Sequence, residues 1–529
     1  MYIIISGKQF KMNKEIKAFN RFFPLHKVLF LLIFTLFFAP LGYTFIQRIG
    51  AFGCSDQCAN FVAAYFMLKG KQLYSQVFFN HQLLMPYISF ILQYVFHPVS
   101  IYKLVLHHHI FMVLLAFIIN SILIVRFGIV GFCFAIFYEA TKYYLHGNLF
   151  LPEAIAVYPL IYMFLLAIKT FKGDKIKRTD ALIAALTTWF VIFLREPYIP
   201  LSLLLFSRIV IYCSKKNKIL SICILIVLSV VSFFSVDFSN YIFDVFTVNS
   251  QSIQQRISLE NIAKSFFYPV LILIDGKRTF LGELLFLLNV VFLIFSFIFL
   301  TVFKEKKLMS FIFIVLGFSA IRFVQPGTMY FEAFHILPWY ALFLASIFYM
   351  FERILEFLKK KRLFCSVVVY FVLIFLYIVF SPRSFLQDSI DKQREFTTNF
   401  ASYFAYGQTI KTLAEKESTV YLDVWDDLIY WETGLDSPFQ YSLFIPVMKI
   451  IPKFENARLE MFKKTPPDFY YSRCTEKDNY SFPPLNIQNS YLQLLKNGEN
   501  SCLFIKKFIL DKVTKQQIVK IAQFGFSTP

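Results

Sequence analysis

The sequence predicts a polytopic α-helical membrane protein of about eleven transmembrane helices, followed by a C-terminal extracytoplasmic domain of mixed α/β structure. Three observations carry that expectation. Of 529 residues 57% are hydrophobic and only 16% charged, with 70 Phe and 30 Tyr, which is too apolar for a soluble protein of this size. The apolar residues gather into runs long enough to cross about 30 Å of hydrocarbon. The charge is also partitioned: of 53 Lys and Arg and 33 Asp and Glu, residues 381 to 529 hold 18 and 17, leaving 35 and 16 for residues 1 to 380. The net charge of +20 therefore belongs to the membrane part, where basic loops report cytoplasmic retention and not a nucleic-acid partner.

The first run, 28 to 46, follows a basic start (Lys8, Lys11, Lys14, Lys17, Arg21, Lys27) and has no small-residue cleavage site after it. It reads as an uncleaved span with a cytoplasmic N-terminus. Further runs lie at 104 to 125, 127 to 145, 154 to 170, 219 to 236, 280 to 302, 308 to 324, 331 to 351 and 363 to 380. Between Ala181 and Tyr212 the apolar stretch is broken by Arg195-Glu196-Pro197 and flanked by Lys177-Arg178 and Lys215-Lys216, the pattern of a hairpin of two shorter crossings with its charged tip outside. That gives eleven spans in residues 1 to 380.

The first external loop, 47 to 103, contains two amphipathic pieces, Asp56 to Leu68 and Gln82 to Phe96, separated by Lys69-Gly70-Lys71; these suit helices lying in the interface. The second long external segment, Asp237 to Phe267, is polar and reads as a flexible or interfacial loop. From Ser381 the charge balances, apolar runs shorten to pieces such as Thr419 to Val424, and turn signals occur at Pro466-Pro467 and Asn497-Gly498. Residues 381 to 529 therefore read as a soluble external α/β domain.

Among the cysteines, Cys133, Cys213, Cys223 and Cys365 sit in or beside spans as small apolar residues. Cys474 and Cys502 share the external tail and can pair if the compartment oxidises. Cys54 and Cys58 flank Asp56 and are open to bonding each other or a metal, although no His or carboxylate completes a zinc set at a convincing spacing. His107, His108 and His109 point in different directions on a helix, so they fit an interface belt better than a metal site.

After span one the chain reads DQCANFVAAYFMLKGKQLYSQVFFNHQLLMPYISF. This passage resembles the first external loop of the GT-C glycosyltransferases, in the protein-mannosyltransferase and aminoarabinose-transferase-like branch. There an acidic residue precedes an aromatic and small-residue helix, a Gly-containing turn, Leu-Tyr and an Asn-Lys-Pro-Pro-like segment. LPEAIAVYPLIYMFLLA, FLREPYIPLSLLL and FEAFHILPWYALFLA look like later helices of that family, and VYLDVWDDLIYWETGLDSPFQY, TPPDFYY and YLQLLKNGENSCLFIK look like its external domain.

The resemblance implies an inverting transferase of the inner (plasma) membrane that moves a monosaccharide from a polyprenyl-phosphate donor to a protein, lipid or glycan acceptor on the outer face. Such a reaction needs a carboxylate to receive the acceptor hydroxyl's proton and cationic or hydrogen-bonding groups to hold the departing phosphate. Asp56 is the candidate general base; Gln57 stands where many relatives carry a second acid, which leaves Asp56 to act alone. His81 occupies the position of the usual Lys, and the proline pair is replaced by Gln82-Leu83.

His81, Arg195 and His335 are the candidate donor-phosphate ligands, Arg because it offers two donors to one phosphate and His because it donates when protonated. Glu153, after Pro152 at the entrance to span four, either favours the helix start by its charge or helps bind substrate. No cofactor is required by the sequence, no metal-ligating residues are singled out, and dependence on a divalent metal is left open. The rival expectation is a transporter or flippase for a lipid-linked glycan, which would call for ionisable residues deep in the bilayer and an internal repeat.

Overall fold

The computed structural model describes residues 25–54, 56–173, 175–253, 280–320, 333–358, 363–423, 426–441, 443, 451–472 and 485–529. The chain is mostly helical. In order come α1 (Leu25–Gln47), α2 (Asp56–Leu68), α3 (Leu84–Phe96), α4 (Ile101–Phe127), α5 (Ile129–Thr141), α6 (Pro152–Lys169), α7 (Arg178–Leu194), α8 (Ile199–Ile211) and α9 (Lys215–Phe233). They are followed by α10 (Phe280–Thr301), α11 (Lys306–Ser319), α12 (Leu337–Leu358) and α13 (Leu363–Phe380). Among the described residues six helices are long and apolar enough to cross a membrane, namely α1, α4, α6, α9, α10 and the stretch Phe334–Leu358 that contains α12. The protein is membrane-embedded.

Local chemistry sets the boundaries. The Ser100 side chain accepts from the Lys103 backbone N–H at the start of α4 and the Ser214 side chain from that of Asn217 at the start of α9, satisfying donors that a helix start leaves orphaned. Pro152 stands in the first turn of α6, where its missing N–H costs nothing. α7 ends because Arg195 is extended (φ −156°, ψ 116°) ahead of Pro197, which disfavours helix for Glu196. One 3₁₀ turn, Glu196–Tyr198, then leads into α8, so the apolar stretch is two helices with Arg195 in the bend between them. α6 and α12 are the buried axis of the bundle and α9 lies on its lipid-facing edge.

Two expectations about the loops need correction. α2 and α3 have the anticipated limits to within two residues, but α2 is buried from Gln57 to Phe66 on most of its surface and packs against α3 and against Leu428–Thr433, so it does not lie free in an interface. The segment after Asp237 is helical and not a loop over its described part, with turns Phe238–Ile242, Phe243–Val248 (π-helical) and Asn249–Ile253. Side chains explain this: Tyr241 donates to Gln82 at 2.8 Å and Asn249 donates to the Asn80 carbonyl at 2.6 Å, tying the segment to the chain ahead of α3. The part of that expectation from 254 to 267 lies outside the described residues.

Residues 381 to 529 open on α14 (Lys392–Leu413) and carry a five-stranded sheet with strands β1 (Val420–Leu422), β2 (Phe469–Tyr471), β3 (Tyr491–Lys496), β4 (Glu499–Lys506) and β5 (Phe526–Ser527) in the order β1-β2-β4-β3-β5. β1 and β2 are parallel, Val420 opposite Phe469, and the other pairs are antiparallel. The β3-β4 turn is Asn497-Gly498 with φ of 54° and 85°, the left-handed pair that matches strand twist. This part touches the bundle closely: a Cβ on Gly50 would lie 2.7 Å from the Phe396 backbone, Phe78 N–H donates to the Tyr441 carbonyl at 2.9 Å, and Trp431 Nε1 donates to Gln93 at 3.1 Å.

Candidate active site

Three helix ends and one loop meet at one end of the bundle. Glu153 lies in the first turn of α6, Arg195 in the bend after α7, His335 in the 3₁₀ turn Ala333–Ile336 before α12, and His81 in the chain leading to α3. Their side chains form one chain of contacts. Arg195 Nε donates to Glu153 Oε1 at 2.8 Å, and His335 Nδ1 lies 3.3 Å from the same oxygen. On the other side Arg195 Nη1 lies 3.8 Å from Glu196 Oε1, which is 3.1 Å from His81 Nδ1. Four residues expected from the sequence are thus joined, across separations of up to 182 positions, with Glu196 as a fifth member bridging two of them.

The arrangement is buried and unevenly satisfied. Arg195 and Glu153 are fully enclosed, where an ion pair holds only if its hydrogen bonds are made. Arginine has five N–H donors in a planar fork. Here Nε alone makes a close bond; Nη1 has the longer contact to Glu196, and Nη2 has no partner among the described residues. A guanidinium edge of this kind has the geometry to donate two parallel N–H bonds to one oxyanion. Supporting bonds fix the surroundings: Tyr198 donates to the His335 carbonyl at 3.1 Å and Tyr74 to the His81 carbonyl at 2.9 Å.

Asp56 is the first residue of α2, is exposed, and lies close enough to Arg195 for its charge to act on the guanidinium. A disulfide between Cys54 and Cys58 brackets it, settling the open alternative for that pair in favour of bonding. Gln57 is buried, its Oε1 accepting from the Phe150 N–H at 3.4 Å, so this side chain is turned into the bundle. Cys502 is disulfide-bonded, whereas Cys474 lies outside the described residues. Among the described residues no group of three or more His, Cys, Asp or Glu is placed to hold a metal.

The histidine triplet is not an interface belt. His108 and His109 are buried, His108 between Ser89 Oγ (2.8 Å) and the Leu104 carbonyl (2.7 Å), His109 against Gln57 at 3.4 Å, so they pin α2 and α3 onto α4. A second enclosed polar group lies farther along the bundle: Lys142 pairs with Glu139 at 2.6 Å, and Asn120 and Tyr158 donate to Glu139 at 2.8 and 2.9 Å. Tyr158 is five residues after Glu153, about 7.5 Å along α6. Glu139 and Lys142 were passed over in the sequence because they sit at the end of an otherwise apolar run. Asp244, also missed, is buried in the π-helical turn, where desolvation pushes its carboxyl up to about 8 against the opposing pull of Lys453 and the Phe79 N–H.

The chain matches no known family model and no curated protein sequence.

Proposed function

We propose that the protein is an inverting glycosyltransferase of the GT-C type, moving a monosaccharide from a polyprenyl phosphate to an acceptor on the outer face of the membrane. One observation carries the reading: a wholly buried arginine with an unused donor edge, held by Glu153 and Glu196 beside two histidines, with the exposed Asp56 within electrostatic reach. In this mechanism the acceptor hydroxyl gives its proton to the Asp56 carboxylate while its oxygen attacks the anomeric carbon. The bond from that carbon to the phosphate oxygen breaks on the opposite face, and the phosphate leaves with the bonding electrons. Arg195, with protonated His81 and His335, stabilises the charge that develops there.

The sidedness belongs to the same proposal. If α1 and α4 to α13 are all taken as crossings from a cytoplasmic N-terminus, eleven in number, then Asp56, Arg195 and the sheet-bearing C-terminal domain lie outside. The disulfides at Cys54–Cys58 and Cys502 fit an oxidising compartment on that side. No metal takes part in the steps as written. Purified protein incubated with a panel of polyprenyl-phosphate sugars is expected to turn over at least one donor, and Asp56→Asn to abolish turnover while leaving donor binding in place. Undiminished turnover in that variant would remove Asp56 from the mechanism.

The enclosed Glu139 and Lys142 favour a second reading, a flippase for a lipid-linked glycan, since it requires ionisable groups inside the bundle. It predicts glycolipid translocation in proteoliposomes that is lost in Glu139→Gln and kept in Asp56→Asn. The transferase predicts the opposite dependence for sugar transfer.

A further inference from the structure

At the end of the bundle opposite Arg195, α4, α6 and α7 enclose a cleft of about 450 Å³, continuous through Arg126, Lys177 and Asp180 with a smaller one of about 200 Å³. Asp180 begins the helix that Arg195 ends, so the two places are separated by roughly 22 Å along α7. The larger cleft has mostly apolar walls, including Ile122, Val125 and Ile183, and Ile122 and Ile183 are exposed on the bundle's outer surface. In a membrane-embedded protein those walls face acyl chains. The rim is cationic: Arg126, Lys169, Lys175 and Lys177 line the two cavities, with Asp180 as the carboxylate among them.

That carboxylate is already engaged. Arg126 Nε donates to Asp180 Oδ1 at 3.1 Å and Nη2 contacts Oδ2, which leaves that pair neutral and does not draw on Lys175 or Lys177. Lys175 and Lys177 are exposed and make no ion pair among the described residues. Retention of basic residues on the cytoplasmic side accounts for lysines in this loop, but it does not account for an apolar cleft running from them into the bundle. We propose that this cleft binds an anionic phospholipid, its phosphate on Lys175, Lys177 and Arg126 and one acyl chain between α4 and α7. A headgroup without net negative charge would leave the rim cations uncompensated, whereas juxtamembrane lysines attract anionic lipid appreciably at each position.

The test is native mass spectrometry of the full-length protein with phosphatidylglycerol or phosphatidylcholine, with thermal stability read in parallel. Phosphatidylglycerol is expected to bind in preference and to raise the melting temperature. Lys175→Gln/Lys177→Gln should weaken that binding roughly tenfold. Ile183→Trp, which fills the cleft without touching charge, should weaken it too, and Lys215→Gln/Lys216→Gln, outside the cleft on the same side, should leave it unchanged. Equal binding of the two lipids, an equal loss in the Lys215/Lys216 variant, or equal stabilisation by inorganic phosphate alone would each overturn the proposal.

Discussion

Two arginines at the opposite ends of α7 are each held by a carboxylate, and they are held in different ways. Arg126 meets Asp180, in the first turn of α7, through two nitrogens, with the guanidinium partly exposed. Arg195, just past the last turn, meets Glu153 through Nε alone and is fully enclosed. The first pair is satisfied where water could have helped it; the second is under-satisfied where water is least able to. Arg458 in the C-terminal part supplies a control. Also buried, it directs both Nε (3.2 Å) and Nη2 (2.6 Å) at Asp423. A buried arginine in this protein can thus be well satisfied, and the proposed phosphate site rests on the edge of Arg195 that has no hydrogen-bond partner among the described residues.

Breaking the Arg195 pair gives the largest expected effect. Arg195→Met strands a buried carboxylate and should cost about 3–5 kcal/mol in thermal or denaturant unfolding. Adding Glu153→Gln removes the stranded charge, so the double variant should recover most of that stability without recovering transfer. A double variant as unstable as the single one would show that the pair matters for its shape and not for its charge.

A lone buried carboxyl sharpens the comparison further. The folded pKa of Asp244, about 8, lies above its ordinary value of 3.8, so between those pH values the folded state holds a proton that the unfolded chain has lost. Stability is then fully present below about pH 4 and is lost as pH rises through 8. Asp244→Asn should match the parent near pH 4 and exceed it progressively as pH rises toward 9. Parallel pH profiles for the two proteins would mean that Asp244 is charged and compensated. A smaller effect is expected at the Arg126–Asp180 pair, where the guanidinium is partly exposed although Asp180 is buried: Arg126→Met should cost about 1–3 kcal/mol and leave sugar transfer intact.

Helix placement was legible in the sequence where chemistry is local. The break at Arg195-Glu196-Pro197, the start of α6 at Pro152 and the Asn497-Gly498 hairpin each follow from backbone preferences of the residues present. Of the candidate residues, Arg195 stood out because an ionisable group in an apolar run is costly, whereas His81 and His335 stood out only through the family resemblance. Its connections were not. His81 reaches Glu196 across 115 positions and His335 reaches Glu153 across 182, distances at which spacing carries no information. Polarity misled at Asp237 to Ile253, because Tyr241 and Asn249 spend their polar atoms on Gln82 and Asn80 and leave the segment helical and partly buried. It also hid α14, whose buried Phe400, Tyr406, Ile410 and Leu413 are interspersed with polar residues such as Ser402, Gln408 and Lys411.

The central claim is that the spare edge of Arg195 holds a lipid-borne phosphate. The direct measurement is the affinity of the purified protein for a polyprenyl phosphate, compared with that of Arg195→Met/Glu153→Gln. The double variant should lose about 100-fold or more in affinity. Equal affinity in the two proteins would contradict the account.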